Sequence, residues 1–527
     1  MGNLIQRGKL VICAVILAGG TSSCALRVKV QENWSAAPKG PVSLSAATAT
    51  WQQIRSGEIL NGDSVEKYNE AVRGTVVELT ENWAAPNGSL AMVQTDQGNV
   101  RIQVEPINVP AIDLIDQLIP ADFIRVKRGF RENTIVEGIG TSLLVRQRQS
   151  EFDPMVPETG LWYPVTGILN LDNPANPVLE LRDPTRGGDL LTGGRSFPLS
   201  ANYTAAFARD FQDRQFQFLD LPALFQFEKY ADRMGLYRIS PFDPSKQVCV
   251  LVHGIYSSPT TWDITLNRIY EHEDLRERYE FWTFGYPTGA PIPFLASKFR
   301  ESLHEMTAFR AGAGASPRDM VIVGHSMGGL LSKSVTQHGG DEEWNKVFNV
   351  PIEQLNVDEA DRKILRRLFY YEPVPNISRV IFCATPHRGS KVAAYPGAGL
   401  VGSLIQVPSQ LARLTTDIVE QSRYALTPLG LEIAEDRTTS LEQLSSKSRL
   451  TGDLYLKPLN PAIHYHSVIA SNRGERVSPI DSSDGLVSYR SSHIEGVDSE
   501  VVVCRSPHGV HRDEDGIAEI VRLLKLP

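Results

Sequence analysis

Apolar residues along this chain follow two rhythms, and the change between them falls near residue 237. In the first part Leu44, Ala47, Trp51 and Ile54 share one helical face, and Gly57 to Gly62 breaks the run. Asp63 with Glu66 reads as a capping box opening a second helix, with Val65, Tyr68, Val72, Val76 and Leu79 on one side. From about residue 90 the pattern shortens to alternating runs such as Val100, Ile102 and Val104. Asn173-Pro174, Asn176-Pro177 and Asp183-Pro184 punctuate them. The region from 25 to 236 therefore reads as a helical hairpin followed by a mostly β module.

After Tyr237 the rhythm becomes strand, then helix, repeated. Gln247 to Val252 and Phe281 to Tyr286 are apolar strand-like runs, and Phe294 to Met306 has helical spacing. Strands are also expected at Ile463 to Ala470 and Glu500 to Cys504, with a helix after them. That alternation predicts an α/β class with a mostly parallel sheet over 237–527. Two helix-rich segments, at about 341–375 and 391–460, interrupt it, and the second is long enough to form a cap. Within the second, Leu411, Leu414 and Ile418 fall at helical spacing, and Leu400, Val401, Leu404 and Ile405 precede Pro408. Such faces either line an acyl pocket or lid, or pack on the domain.

The centre of the second part is DMVIVGHSMGGLLSKSVTQ, from Asp319 to Gln337. Met320 to Val323 reads as a buried strand, and Met327, Leu330, Leu331 and Val335 as one face of a helix. Between them Gly324-His325-Ser326-Met327-Gly328 fits G-x-S-x-G, a strained strand-to-helix turn that exposes a serine hydroxyl. Ser326 is the candidate nucleophile. A nearby G-x-G-x-x-G, Gly397 to Gly402, follows Tyr395-Pro396 instead of a strand, so dinucleotide binding is not expected there.

A serine nucleophile needs a base and an acid to orient it, in this fold expected later in the chain with the acid first. The candidate acid is Asp484, in the turn Ser483-Asp484-Gly485-Leu486-Val487, with Asp481 as the alternate. The candidate base is His508, just past the last strand. His511 is the alternate, placed nearer the final helix, where a surface or capping role is expected. Backbone N–H groups of Met327 and of Ile255, with Tyr256 as alternate, would form the oxyanion site. His253 is expected to be structural in its loop, and His387 to buttress the site.

VHGIYSS at 252, GHSMGG at 324, ATPHRGS at 384, SDGLV at 483 and SPHGVH at 506 together resemble the lipase-like branch of the α/β-hydrolases. That branch includes glycosylphosphatidylinositol inositol-deacylases and lecithin–cholesterol acyltransferases. The resemblance covers about 240 to 527 and implies an α/β-hydrolase fold with helical cap insertions, preceded by a separate module. It implies a serine hydrolase of esters, of lipids or other acyl chains, working through an acyl-enzyme without cofactor or metal. The same site would also serve an acyltransferase, an amidase or peptidase, or a non-catalytic binding protein.

Composition narrows the setting. A chain of 527 residues exceeds one ordinary core, and 42% hydrophobic with 22% charged residues describes a globular body. A net charge of -8 argues against a nucleic-acid partner. All 11 histidines lie from His253 onward, which excludes histidine chemistry from the first part. At the start, Arg7 and Lys9 precede an apolar run from Leu10 to Ala18 that is too short to span a bilayer. Small residues then lead to Cys24. Residues 1–24 resemble a bacterial lipoprotein signal in which Cys24 is lipidated, although Thr21 stands where Leu is usual. A cleaved export signal and a retained anchor are the other readings. The expected location is the cell envelope, membrane-anchored on the periplasmic side, or otherwise secreted. Cys249, Cys383 and Cys504 fall in strand-like runs and read as buried thiols.

Overall fold

The computed structural model describes residues 28–38, 40–58, 60–81, 90–110, 112–187, 189–219, 221–391, 405–435, 439–445, 457–476 and 478–527. The leader, Cys24, the Gly397–Gly402 motif and Leu400, Val401 and Leu404 lie outside them.

The helical hairpin forms as Leu44–Ser56 and Gly62–Glu81. Gly57 ends the first helix at φ 73°, a left-handed conformation that glycine adopts without a Cβ penalty. The second helix starts earlier than the expected box at Asp63. Asn61 accepts from the Ser64 amide at 2.8 Å, and Asp63 pairs with Lys67 one turn on. An Asn two residues upstream takes the orphan amide first, which leaves Asp63 free for the i,i+4 pair.

Tyr68, Val72, Val76 and Leu79 press against a six-stranded sheet, where they meet Leu143, Val145, Ile168 and Leu179 in one core. Its spatial order is Leu90–Thr95, Gly98–Ile107, Val178–Arg182, Leu161–Asn170, Thr141–Gln147, Ile115–Pro120. Only the pair Gly98–Ile107 with Val178–Arg182 is parallel. A two-stranded sheet, Lys29–Glu32 with Ile124–Arg128, flanks it.

The second part is built on seven strands: β1 (Gly235–Arg238), β2 (Gln247–Val252), β3 (Tyr279–Gly285), β4 (Met320–His325), β5 (Ile377–Cys383), β6 (His464–Ser471) and β7 (Ser499–Cys504). Their order is β1-β3-β2-β4-β5-β6-β7, parallel except for β1. This is an α/β-hydrolase sheet, and it begins two residues before the expected boundary. Every residue of β3 and β4 is buried, as strands covered by helices on both faces must be. Cys249 and Cys383 are buried in this sheet, whereas Cys504 is half-buried because β7 is its edge.

The first part keeps its own sheet and core, yet a further apolar cluster joins the parts. Trp162, Phe207 and Phe211 pack in it with Trp262, Ile269 and Phe281. Polar ties cross the same junction: Arg238 to Asp153 at 2.6 Å, and Lys246 Nζ to the Thr185 carbonyl at 3.0 Å.

Both insertions are helical, with Asp341–Val347 and Glu359–Phe369 in the first and Ser409–Gln421 and Pro428–Glu435 in the second. They form one layer, since the Asn349 amide donates to the Ala425 carbonyl at 2.7 Å. Leu411, Leu414 and Ile418 are buried in the large core of the second part. That face is spent on packing among the described residues. Among the described residues no helix is long and apolar enough to cross a membrane.

Candidate active site

Ser326 sits between β4 and the helix Met327–Ser334 at φ 54°, ψ -124°. A non-glycine residue holds this conformation only where its surroundings over-determine it. Here the Ser326 amide donates to the Cys383 carbonyl at 2.8 Å, pinning the turn to β5. The flanking glycines are steric requirements. A Cβ on Gly324 would lie 2.6 Å from Gly329 Cα, and one on Gly328 would strike the carbonyl oxygens of Val252 and His253.

The structure brings His508 and Asp484 to this serine. His508 Nε2 lies 2.8 Å from Ser326 Oγ, and His508 Nδ1 lies 2.7 Å from Asp484 Oδ2. The other oxygen of Asp484 accepts from the amides of Leu486 and Val487 at 2.8 and 2.7 Å. One carboxylate thus holds its own turn and the imidazole together, and Gly485 permits the turn at φ 101°. Asp481 is exposed on the short turn Pro479–Asp481 and is not brought to a histidine.

His511 is not at the surface, as its position before the last helix suggests. It is buried, with Nε2 2.8 Å from Thr261 Oγ1 and its ring 3.9 Å from that of His325. The loop after β7 turns inward through Val510–Arg512, carried by Arg512, which donates to the Thr261 carbonyl at 2.7 Å and to Asp263 at 2.5 Å. Asp513 caps the final helix instead. Burial, with His325 and Arg512 beside it, holds the His511 imidazole well below its ordinary value, so it is neutral.

The loop after β2 runs against the nucleophile: a Cβ on Gly254 would come 2.9 Å from Ser326 Cβ. The Tyr256 amide is turned to Thr288 Oγ1 at 3.3 Å, at φ 58°. That turns Tyr256 away and leaves Ile255 as the candidate loop amide; Met327 is the first residue of a helix whose leading N–H groups have no intrahelical acceptor. His253 is buried against Tyr286, ring centroids 4.1 Å apart, and burial pushes its pKa down to about 3. His387 is buried edge-on to Phe382 at 4.7 Å. Its loop braces the acid turn, because Ser390 Oγ and the Lys391 amide both donate to the Leu486 carbonyl.

Sequence reasoning passes over the residues that hold the base loop: Thr261, Asp263, Arg512 and His325. Only His325 lies inside a motif, and it stands there at a variable position. The others become neighbours through contacts across about 250 residues, for which no local pattern exists.

The sequence matches no protein-family model and no curated protein. Among solved structures it is similar to a lipase of Bacillus licheniformis in its mature form, at 16% identity and TM-score 0.32 over 55% of this chain and 98% of that one. It is also similar to a lipase of Pelosinus fermentans, at 12% identity and TM-score 0.32 over 54% and 99%. An α/β-hydrolase domain-containing protein of mouse matches at 12% identity and TM-score 0.26 over 55% and 91%. Likenesses this distant identify neither substrate nor reaction, which rest on the chain's own geometry.

Proposed function

We propose that this chain is an exported serine hydrolase that cleaves ester bonds, of lipids or other acyl esters, through an acyl-enzyme. The observation that carries the reading is the continuous hydrogen-bonded line Ser326–His508–Asp484, at 2.8 and 2.7 Å, on a nucleophile held at positive φ.

In this reading Asp484 accepts from His508 Nδ1–H, which leaves the Nε2 lone pair facing the serine. Nε2 takes the hydroxyl proton as Oγ attacks the ester carbonyl carbon. The resulting oxyanion accepts from the N–H groups of Met327 and Ile255, at the head of a helix whose dipole favours negative charge. His508 passes its proton to the departing alcohol, leaving Ser326 acylated. Water, deprotonated by the same nitrogen, then releases the acid and restores the serine. No step calls for a cofactor or metal. The basic, apolar and small-residue regions of residues 1–24 support export, with Cys24 as the lipidated residue of an envelope protein.

Labelling with a fluorophosphonate probe followed by peptide mapping tests the assignment. Modification on Ser326, absent from Ser326→Ala, is the expected result. Labelling that persists in Ser326→Ala rejects it.

A further inference from the structure

The two-stranded sheet Lys29–Glu32 with Ile124–Arg128 buries Val30 and Ile124 and turns cations outward. Lys29 stands opposite Arg128, and Gln31 opposite Arg125. Lys29, Arg125, Lys127, Arg128 and, three residues on, Arg131 are all exposed. None of the five makes an ion pair with a described residue. The acidic residues on the same segments are already held elsewhere: Glu32 by Arg209 at 2.7 Å, Asp122 by Arg73 at 2.8 Å, Glu132 by Arg268 at 3.0 Å. Arg131 feels the Asp263 carboxylate, but on a chain of net charge -8 the other four cations on one small face are a local reversal of sign.

Two further observations say what this face meets. The described chain begins at Val28, so Lys29 lies five residues after Cys24, and the face sits where a lipid anchor would join the folded body. At one end Trp34 is 38% exposed, an amphipathic ring of the kind found at bilayer interfaces. At the other end the segment after Arg131 is tied to the helix Asp263–Ile269, since Asn267 Nδ2 donates to the Glu132 carbonyl at 2.9 Å. That helix begins at Asp263, the partner of Arg512 in the base loop. The face is thus joined, through this helix, to the loop that carries His508.

We propose that this basic face docks on an anionic lipid surface, through phosphate headgroups. The proposal rests on the membrane-associated reading above and adds to it a contact that responds to headgroup charge, which an acyl anchor by itself does not. Nucleic acid would fit these cations too, but the face is short, carries one half-exposed aromatic ring, and lies beside the anchor position.

Co-sedimentation of the full chain with phosphatidylcholine vesicles, with and without a third of phosphatidylglycerol, tests it. Each cation at an anionic surface contributes roughly fivefold in binding, so the anionic vesicles should be preferred by at least about tenfold, with the preference fading at high salt. R125E/K127E/R128E should erase the preference and leave hydrolysis of soluble p-nitrophenyl butyrate unchanged, which shows that the variant is folded. Cys24→Ala should weaken binding to both vesicles and keep the preference, which separates the anchor from the face. No preference in the unaltered chain, or a preference that survives the triple reversal, overturns the proposal. So does a reversal that abolishes binding to duplex DNA while leaving vesicle binding intact. Absence of ester hydrolysis from the unaltered chain, with the preference intact, would count against the hydrolase reading and leave the docking face standing.

Discussion

His325 Nε2 lies 2.9 Å from the carbonyl oxygen of His508, so the residue before the nucleophile holds the backbone of the residue that faces it. A carbonyl only accepts, so Nε2 carries the proton. Burial, with His508 beside it, keeps the His325 ring neutral, its pKa well below the ordinary value. The arrangement sets the distance between the candidate base and Ser326 from inside the turn itself. His325→Leu should therefore lower kcat by roughly ten- to a hundredfold, because small misplacements of reacting groups are costly, while KM stays close to its original value. Steady-state kinetics on a soluble ester would decide. A rise in KM at unchanged kcat would place His325 in substrate binding instead.

The triad should behave as one unit. Ser326→Ala and His508→Ala should each remove roughly four to six orders of magnitude of esterase activity and leave the melting temperature near that of the parent. Asp484→Asn keeps an oxygen for the Leu486 and Val487 amides but cannot hold the same imidazole tautomer, so a loss of roughly three to four orders is expected. Kinetics and thermal melts of the three variants, side by side, test this. Activity above a tenth of the parent in any of them would remove that residue from the proposed machinery.

His511 should separate stability from chemistry. Replacing a buried ring that packs on His325 and Trp262 leaves a cavity, so His511→Ala should cost about 2–4 kcal/mol. Its kcat should stay within about tenfold of the parent below the melting temperature, since the ring bonds Thr261 and not the serine. An activity loss matching His508→Ala, in a variant that melts normally, would transfer the base role to His511.

Gly328 should admit no side chain. The added methyl of Gly328→Ala would press on two carbonyl oxygens of the strand β2 and its following loop, both backbone atoms that cannot swing aside. Overpacking of this kind costs about 1–3 kcal/mol. Gly509, in the base loop, has open space around its missing Cβ and is the matched control. Equal melting temperatures for Gly328→Ala and Gly509→Ala would contradict the steric account.

Acid should destabilise the fold. Burial lowers the imidazole pKa values of His253, His325, His387 and His511, and that of His466 to about 4. The unfolded chain binds protons at these sites that the folded chain refuses. Their stabilisation is complete above about pH 6.5, the unfolded value, and each loses up to about 1.4 kcal/mol per pH unit below it. Burial raises Asp183 and Asp263, and Asp210 to about 6, which works in the opposite sense once those carboxyls take up protons. The histidines outnumber them, so the melting temperature should fall between pH 7 and 5, with the decline setting in near pH 6.5 and steepening below it. A melting temperature that stays level or climbs over that range would show that these imidazoles charge in place.

Local order was legible in the chain, and long-range neighbourhood was not. Met320–Val323 is a run of buried strand residues, and the helix after Ser326 has its own period. Glycines stand where the turn would otherwise collide with itself. Each of these is a demand made by residues a few positions apart, so the sequence states it directly. The same holds for the turn that offers Asp484 and for the placement of His508 just beyond a strand. Tertiary structure alone decided that Asn61 and not Asp63 caps the second helix, that Leu411, Leu414 and Ile418 are spent inside the cap layer, and that His511 lies beneath the site. It also decided the six-strand order of the first part, with its single parallel pair. An amphipathic face specifies that something must cover it but not what does. The Thr261–His511 and Arg512–Asp263 contacts join segments about 250 residues apart, and only the closed fold creates the dry interior in which an imidazole there stays neutral.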